Sequence, residues 1–570
     1  MPLSHLSFYF GGGRCRDPFT PTTPHRVRLL LSPCSSSRSP PPPPPLPMAD
    51  PNCDLNSPLL HDRAPEVSLD VNGLIDRQSE AATTPPENPF EFLGVPPLAL
   101  PPMSPVDPFR NHTPTIAGLY EWCKTILCLP IAAVRLVLFG IVIAVGYLAT
   151  VAALCGWKDK QIPLPRWRCR VMWITRLCAR CILFSFGYHW IKRKGKPASR
   201  EVAPIVVCNH VSYIEPIFFF SELCPTMVAS ESHDALPFVG TIIRAMQVIY
   251  VDRFSPQSRR LAIHEIKRKA SSNEFPRVML FPEGTTTNGR FLISFRLGAF
   301  IPGLPVQPVV VRYPYIHFDQ SWGNANLLKL MFRMFTQFHN FMEVEYLPVV
   351  FPDESKQQNT VHFAERTCSS MANALNVLQT SHSFGDMILF TRASELAKES
   401  CSNYMVEMAW VENSFNISTS EAVVILDRFL SMNPDSSGRV ELQGFLNAYG
   451  LGWSRLSEKI FGYLDLEKKR SITFRQFLTG SAQIRKQPSF WRACETAFAQ
   501  CSSDDMTDHA SLEQIGRAIQ SIVHGAINRE ALRQLFDADA DVSVSKDDFM
   551  DCLQKNPLLI TLFAACVNDP

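Results

Sequence analysis

The chain has 570 residues, enough for three or four domains. Its 55 Lys and Arg nearly balance its 53 Asp and Glu, and a net charge of +2 gives no electrostatic case for a nucleic-acid partner. The 17 Cys form no paired framework, and the one CxxC, Cys178 and Cys181, has no second pair at zinc spacing, so the thiols read as reduced and facing a cytosolic compartment.

Residues 1–110 are rich in Pro and Ser, with a proline run from Pro40 to Pro45 and no periodicity. Disorder is the expectation there, with 85–110 serving as a linker. The first 47 residues hold one acid, Asp17, against five Arg, which fits an organelle transit peptide. A translation start at Met48 fits better, because the proline run makes a poor amphipathic helix and a membrane anchor follows.

Residues 111–200 carry that anchor. Leu136 to Trp157 is free of charge and close to the ~20 residues that a bilayer requires. From Lys158 to Arg200 there are twelve Lys or Arg against one acid, Asp159. The basic side is expected to stay cytosolic, which makes this a single-pass membrane protein with everything after the span in the cytosol. A second apolar run, Cys181–Ile191, is too short to span and reads as interfacial. The basic cluster Lys192–Lys196 would attract anionic headgroups if it is not simply a solvated loop.

Residues 201–395 alternate strand-like and helix-like runs. Strands are expected at Pro204–Cys208, Val248–Asp252, Val278–Phe281 and Val306–Arg312. Helices are expected near Tyr213–Glu222, over Ser258–Ser271 and from Ser294 onward. That alternation predicts an α/β domain with a mostly parallel sheet. His210 sits at the carboxyl end of the first strand, where open α/β sheets place their chemistry. Glu215 follows five residues later, within reach if a helix begins there. A carboxylate on one imidazole nitrogen fixes the tautomer and leaves the other free to take a proton from a hydroxyl. Taken alone, a core histidine beside a surface Glu explains the pair as well. Further on, Val278–Gly289 (VMLFPEGTTTNG) runs from a strand into a turn. Its amides and threonine hydroxyls could cradle a phosphate or an oxyanion, or simply end the strand. Leu327–Met342 reads as a core helix, with an acyl-chain wall or a membrane-resting helix as the lesser alternative.

Residues 396–570 read as all-α, with loops of EF-hand style from Ser418 on. The best loop offers Asp537, Asp539, Asp541, the Ser543 carbonyl and Asp548, with Val542 where Gly is usual. The loop from Asn433 ends on Gly444 at position 12, and the loop from Asp465 carries Lys469 where an oxygen belongs and Arg470 where Gly belongs. Starts at 433, 465 and 537 suggest a fourth, vestigial loop near Ser503–Gln514 that pairs with the last. Ca2+ at the Asp537 loop and a metal-free structural pair both remain open.

Four blocks in order, NHVSYIE, VIYVDR, FPEGT and PVQPVVV, resemble the glycerophospholipid acyltransferase family over roughly residues 200–350. FPEGTTTNG and the tail look most like the branch acting on lysophosphatidylcholine and lysophosphatidylethanolamine, with the EF-hands of its plant members. The family acid is normally Asp where this chain has Glu215, and many members have Arg where Thr286 stands. The resemblance implies acyl-CoA-dependent acylation of a lysophospholipid, lysophosphatidylethanolamine favoured over lysophosphatidylcholine or lysophosphatidylserine. His210 would be the base and Glu215 its orienting acid. It also implies that Arg253, Glu283, Gly284 and Thr285 hold the substrate. An endomembrane location follows, the endoplasmic reticulum by default, with Golgi and endosome equally compatible. The alternatives are a lysophosphatidic acid or glycerol-3-phosphate acyltransferase, and an inactive Ca2+-responsive membrane scaffold.

Overall fold

The computed structural model describes residues 88–157, 162–235, 238–323, 325–352, 360–396, 401–502, 509–523, 529–536 and 544–566. The expectations for 1–87, and for Asp537, Asp539, Asp541 and Ser543, lie outside these residues.

Seven strands make one sheet. They are β1 (Lys192–Lys194), β2 (Ile205–Cys208), β3 (Thr226–Ser230), β4 (Ile249–Val251), β5 (Val278–Leu280), β6 (Val306–Arg312) and β7 (Glu343–Tyr346), in the order β1-β7-β6-β2-β5-β3-β4. β6 and β7 run antiparallel and every other neighbouring pair is parallel. The continuous apolar runs of β2 and β6 fit burial on both faces. Val206 and Cys208 pack toward α2 (Arg166–Ser185) and α3 (Ile214–Glu222). Ile205 and Val207 pack toward α5 (Pro256–Ser271) and α7 (Thr360–Leu375). Two shorter helices, α4 (Val239–Ala245) and α6 (Leu327–Phe335), complete this layer set.

Three strands carry no apolar run that the sequence could announce. β1 reads KRK and lies fully exposed at the sheet edge. Lys192 pairs with Glu343 at 2.8 Å, Arg193 with Glu222 at 3.0 Å and Lys194 with Glu345 at 3.6 Å. The cluster expected to attract lipid headgroups is thus largely committed to acids of β7 and α3, and its charge blunts an open sheet edge.

The apolar anchor is one half of a longer helix, α1 (Leu119–Leu154), and among the described residues α1 alone is long and apolar enough to cross a membrane. It packs along α2 and keeps Ile126, Val134, Val137, Ile141, Val145 and Leu148 facing outward. Both of its ends touch the same α/β domain. Glu121 lies 3.7 Å from Arg333, and Tyr147 packs edge-on to Phe238 at 5.2 Å. Between them, the buried Arg135 donates to the Phe335, Gln337 and Phe338 carbonyls, capping the carboxyl end of α6.

The linker expected at 85–110 is instead an ordered strap from residue 88 onward. Phe90, Leu93, Val95 and Leu98 are buried in the core of the carboxyl-terminal helices. Arg475 donates to the Pro101 carbonyl at 2.9 Å, and Ser489 to that of Leu93 at 2.9 Å. Farther on, Phe109 is buried against Ile293 and Met405, and Asn111 donates to the Ser321 carbonyl at 2.7 Å. The fit is tight at Gly323, where a side-chain carbon would stand 2.1 Å from the Phe109 carbonyl oxygen. Proline-rich composition suppresses helix and strand but not burial of an extended chain, which is why the composition misled.

The tail begins with α8 (Phe384–Glu395) and α9 (Met408–Phe415). Paired helix–loop–helix units follow. α10 (Thr419–Ser431) and α11 (Leu442–Tyr449) flank β8 (Arg439–Glu441), and α12 (Arg455–Leu464) and α13 (Phe474–Arg485) flank β9 (Ser471–Thr473). β8 and β9 are antiparallel, with Val440 opposite Ile472. Likewise β10 (His509–Ala510), between α14 (Phe490–Cys501) and α15 (Leu512–Val523), pairs with β11 (Val544–Ser545), between α16 (Arg529–Leu535) and α17 (Lys546–Lys555).

If the strap is structural, Phe109→Ala will cost about 3–5 kcal/mol, the usual range for truncating a buried Phe. Chemical denaturation of the full chain measures this, and an unchanged midpoint would return 88–113 to the status of a linker.

Candidate functional site

β2 ends at Cys208, and the next side chain extends the sheet. The Asn209 amide donates to the Val311 carbonyl at 3.0 Å and accepts from the Val311 N–H at 2.8 Å. This locks the exit of β2 onto β6 and fixes where His210 leaves the sheet. Sequence reasoning gave Asn209 no role, although an Asn at a strand's end is a signal of such side-chain pairing.

His210 Nδ1 lies 3.1 Å from Glu215 Oε2, and neither side chain has exposed surface. Glu215 sits in the first turn of α3 and folds back over it, accepting from the Ser212 N–H at 2.9 Å and the Val211 N–H at 3.2 Å. Nearby, the buried Tyr188 and Tyr313 phenols are pushed up by burial and by the Glu215 charge. The imidazole stacks on Phe281 at 4.2 Å.

The FPEGTTTNG turn packs its Glu283 and threonine side chains inward, while Pro282 and Gly284 border open space. Glu283, expected to hold substrate, is fully buried and accepts the His210 N–H at 2.8 Å. Burial pushes its carboxyl up to about 8, against the lowering effect of that N–H, and the Glu215 charge adds to the rise. Thr285 and Thr286 are buried, and the Thr287 N–H donates to the His210 carbonyl at 2.8 Å. Asn288 donates to the Asp107 carbonyl of the strap at 2.8 Å. Gly284 closes the turn onto the Phe281 carbonyl with a φ of +75°, a conformation that favours glycine. Glu283 and Thr285, expected to hold substrate, are buried, and Glu283 faces the His210 N–H.

The open space lies on the other side of Phe281. A pocket of about 700 Å³ is lined by Arg253, Arg259, Arg260 and Arg296, by Pro282 and Gly284, and by an apolar floor that includes Ile263 and Leu280. Arg253 stacks over Phe384 at 4.6 Å, and Arg296 approaches the same ring at 5.9 Å. Arg296 falls in the stretch FRLGAF, Phe295–Phe300, which resembles the same family as the four motif blocks, whereas Phe384 and the tail's contribution, Glu412 to Ser420, gave no sequence signal. Phe281 both lines this pocket and stacks on His210, so it is the partition between the base and the arginines.

The described loops of the tail hold themselves together. The Asp435 carboxylate accepts from the Ser437 and Arg439 N–H groups, each at 2.9 Å, and Asp465 accepts from Lys469 at 3.1 Å and Arg470 at 2.6 Å. Asp548 instead accepts the Ser545 hydroxyl at 2.5 Å at the start of α17. Among the described residues no three acidic, His or Cys side chains are grouped to hold a metal ion.

An acyltransferase family model matches residues 191–312. The chain is 57% identical to the lysophospholipid acyltransferase LPEAT2 of Arabidopsis thaliana, over 91% of this chain and 99% of the relative. It is 30% identical to lysophosphatidylcholine acyltransferase 2 of Mus musculus, over 80% and 84%. The crystal structure of a 1-acyl-sn-glycerophosphate acyltransferase, PlsC, from Thermotoga maritima covers 44% of this chain and 97% of its own at 17% identity, with a TM-score of 0.31, and adds nothing to the assignment.

Folded Glu283 keeps its proton up to about pH 8, whereas the unfolded side chain gives it up in the ordinary carboxylate range. Its favourable contribution is therefore lost as pH rises through that window. Glu283→Gln has no proton to lose and still accepts the His210 N–H. Melting curves at about pH 6 and about pH 9 should show the wild type losing more stability than the variant. Parallel losses would refute the assignment.

Proposed function

The chain belongs to the lysophospholipid acyltransferase family, and from that premise we propose that it transfers a fatty acyl group from acyl-CoA to the free hydroxyl of a lysophospholipid, with lysophosphatidylethanolamine favoured. The observation that carries the reading is the His210–Glu215 pair at 3.1 Å, buried at the carboxyl end of a central strand beside an arginine-lined pocket. Glu215 takes the Nδ1 proton in its hydrogen bond, which leaves Nε2 to accept the proton of the acceptor hydroxyl. The resulting alkoxide oxygen attacks the thioester carbonyl. The C–S bond then breaks, and the CoA thiolate takes the proton back from the imidazolium. No acyl-enzyme is needed. Arg253, with Arg296 across Phe384, is placed to hold the acceptor phosphate, since a guanidinium matches phosphate oxygens in pairs.

The membrane reading changes in form. Tyr120 and Tyr147 stand about 40 Å apart along α1. Both pack on the same domain, at His317 and at Phe238, which a simple crossing of a bilayer with a ~30 Å core does not accommodate. A helix pair lying along the membrane-facing side, its outward aliphatic face in one leaflet, fits the packing better. The exposed Trp167, Trp173 and Trp190 lie on or beside α2 and suit an interface. The described cysteines are all free, which supports a cytosolic face on an endomembrane, the endoplasmic reticulum favoured. The paired loops of the tail support an EF-hand-like domain, in which Asp537, Asp539, Asp541, Ser543 and Asp548 form the one loop offered for Ca2+.

Membranes carrying the full chain should acylate lysophosphatidylethanolamine from acyl-CoA, in assays run with Ca2+ and with chelator. His210→Ala should lower the rate about 10³-fold or more. Glu215→Asp should keep measurable activity, and Glu215→Ala should fall to the level of His210→Ala. Wild-type activity in Glu215→Ala would remove the dyad from the mechanism.

A further inference from the structure

Among the residues lining the arginine pocket, Glu412 is the sole acid, and it comes from the tail rather than from the acyltransferase domain. It lies within α9, its carbonyl accepts the N–H of Asn416, which caps the helix, and its Oε1 accepts the Thr419 hydroxyl at 2.7 Å. Its Oε2 lies 3.6 Å from Arg296 Nη1, and the side chain is 26% exposed. The carboxylate is therefore held in place, partly neutralised and open to a ligand.

We infer that Glu412 reads the ammonium of the acceptor headgroup, so that the tail supplies the selectivity for a lysophospholipid bearing a primary amine. The inference rests on the acyltransferase reading above. A phosphodiester seated between Arg253 and Arg296 takes over the charge that Arg296 now lends to Glu412. Glu412 would then face a new anion at close range, and like charges in a partly dry pocket repel strongly. An ethanolamine headgroup carries the remedy in the same molecule, because its ammonium lies one short linker from the phosphate and restores the ion pair. Lysophosphatidic acid brings the phosphate without the cation.

The same wall discriminates between amines. A primary ammonium donates three hydrogen bonds. Glu412, with the Thr419 hydroxyl oxygen bonded to it, provides acceptors for them. A trimethylated ammonium has no N–H to give and is bound instead against open aromatic faces. Phe384 is already engaged by Arg253 and Phe281 by His210, and the one open ring left, Phe254, does not by itself make the aromatic cage such a cation takes. The pocket thus matches ethanolamine better than choline.

The test is a graded acceptor series on the unaltered full chain: lysophosphatidylethanolamine, its N-methyl and N,N-dimethyl forms, lysophosphatidylcholine, and lysophosphatidic acid. Stepwise loss of kcat/KM with each added methyl is expected, and a flat series overturns the inference. In Glu412→Gln the ratio of kcat/KM for lysophosphatidylethanolamine over lysophosphatidic acid should fall about tenfold, and Glu412→Asp should restore part of it. An unchanged ratio in Glu412→Gln overturns the inference while leaving the acyltransferase intact. Absence of acylation on every acceptor in the wild type would overturn the acyltransferase reading and this inference with it. The methyl series decides the matter even if the Glu412 variants fail to accumulate.

Discussion

A carboxylate with no exposed surface must regain in hydrogen bonds what it has lost in water. Glu215 meets that condition by turning back onto the amides of Val211 and Ser212 at the start of α3, which leaves Oε2 facing His210 Nδ1. The rest of the site depends on this. Asn209 fixes the strand exit, Glu283 holds the His210 N–H, and Thr287 holds its carbonyl. Both hydrogen-bonding groups of the His210 backbone are thus tied to the FPEGTTTNG turn. A base held this firmly needs little reorganisation when the imidazolium forms. Glu in place of the family's usual Asp fits the same geometry, because the extra methylene lets the carboxylate reach the turn amides and the imidazole together.

The two carboxylates behind His210 have been given opposite tasks by their surroundings. Glu215 accepts from the Val211 and Ser212 N–H groups and faces the imidazole. Glu283 accepts the His210 N–H in a fully buried setting, and burial pushes it toward its neutral form despite that donor and those of Ile293 and Thr287. That separation explains how two acids can sit behind one histidine.

What could be read from the sequence was whatever lies close along the chain. His210 and Glu215 are five residues apart and meet across one turn. β2, β5 and β6 announce themselves as apolar runs, and the family blocks mark the domain. What could not be read depends on partners far away in sequence. β1 is three charged residues, and it is a strand because Glu343 and Glu345 of β7 receive it. The strap is proline-rich, and it is ordered because the tail's core accepts Phe90 and Leu93 some 300 or more residues away along the chain. Glu283 belongs to a motif, but its inward direction follows from the position of the His210 N–H.

The strap and the tail also make the catalytic domain something other than a separable module. Asn288, at the end of the FPEGT turn, is held by the strap at Asp107, and the strap is held by the tail at Arg475 and Ser489. Asp386, in the first turn of α8, accepts the Val406 and Met408 N–H groups, each at 2.8 Å, just ahead of α9 and Glu412. Two series of contacts thus join the tail to the site, one ending beside His210 and one in the arginine pocket. A tail that only tethered the enzyme would need neither. Because both routes are chains of buried hydrogen bonds and packed side chains, a change in the tail alters the pocket only by shifting these segments together.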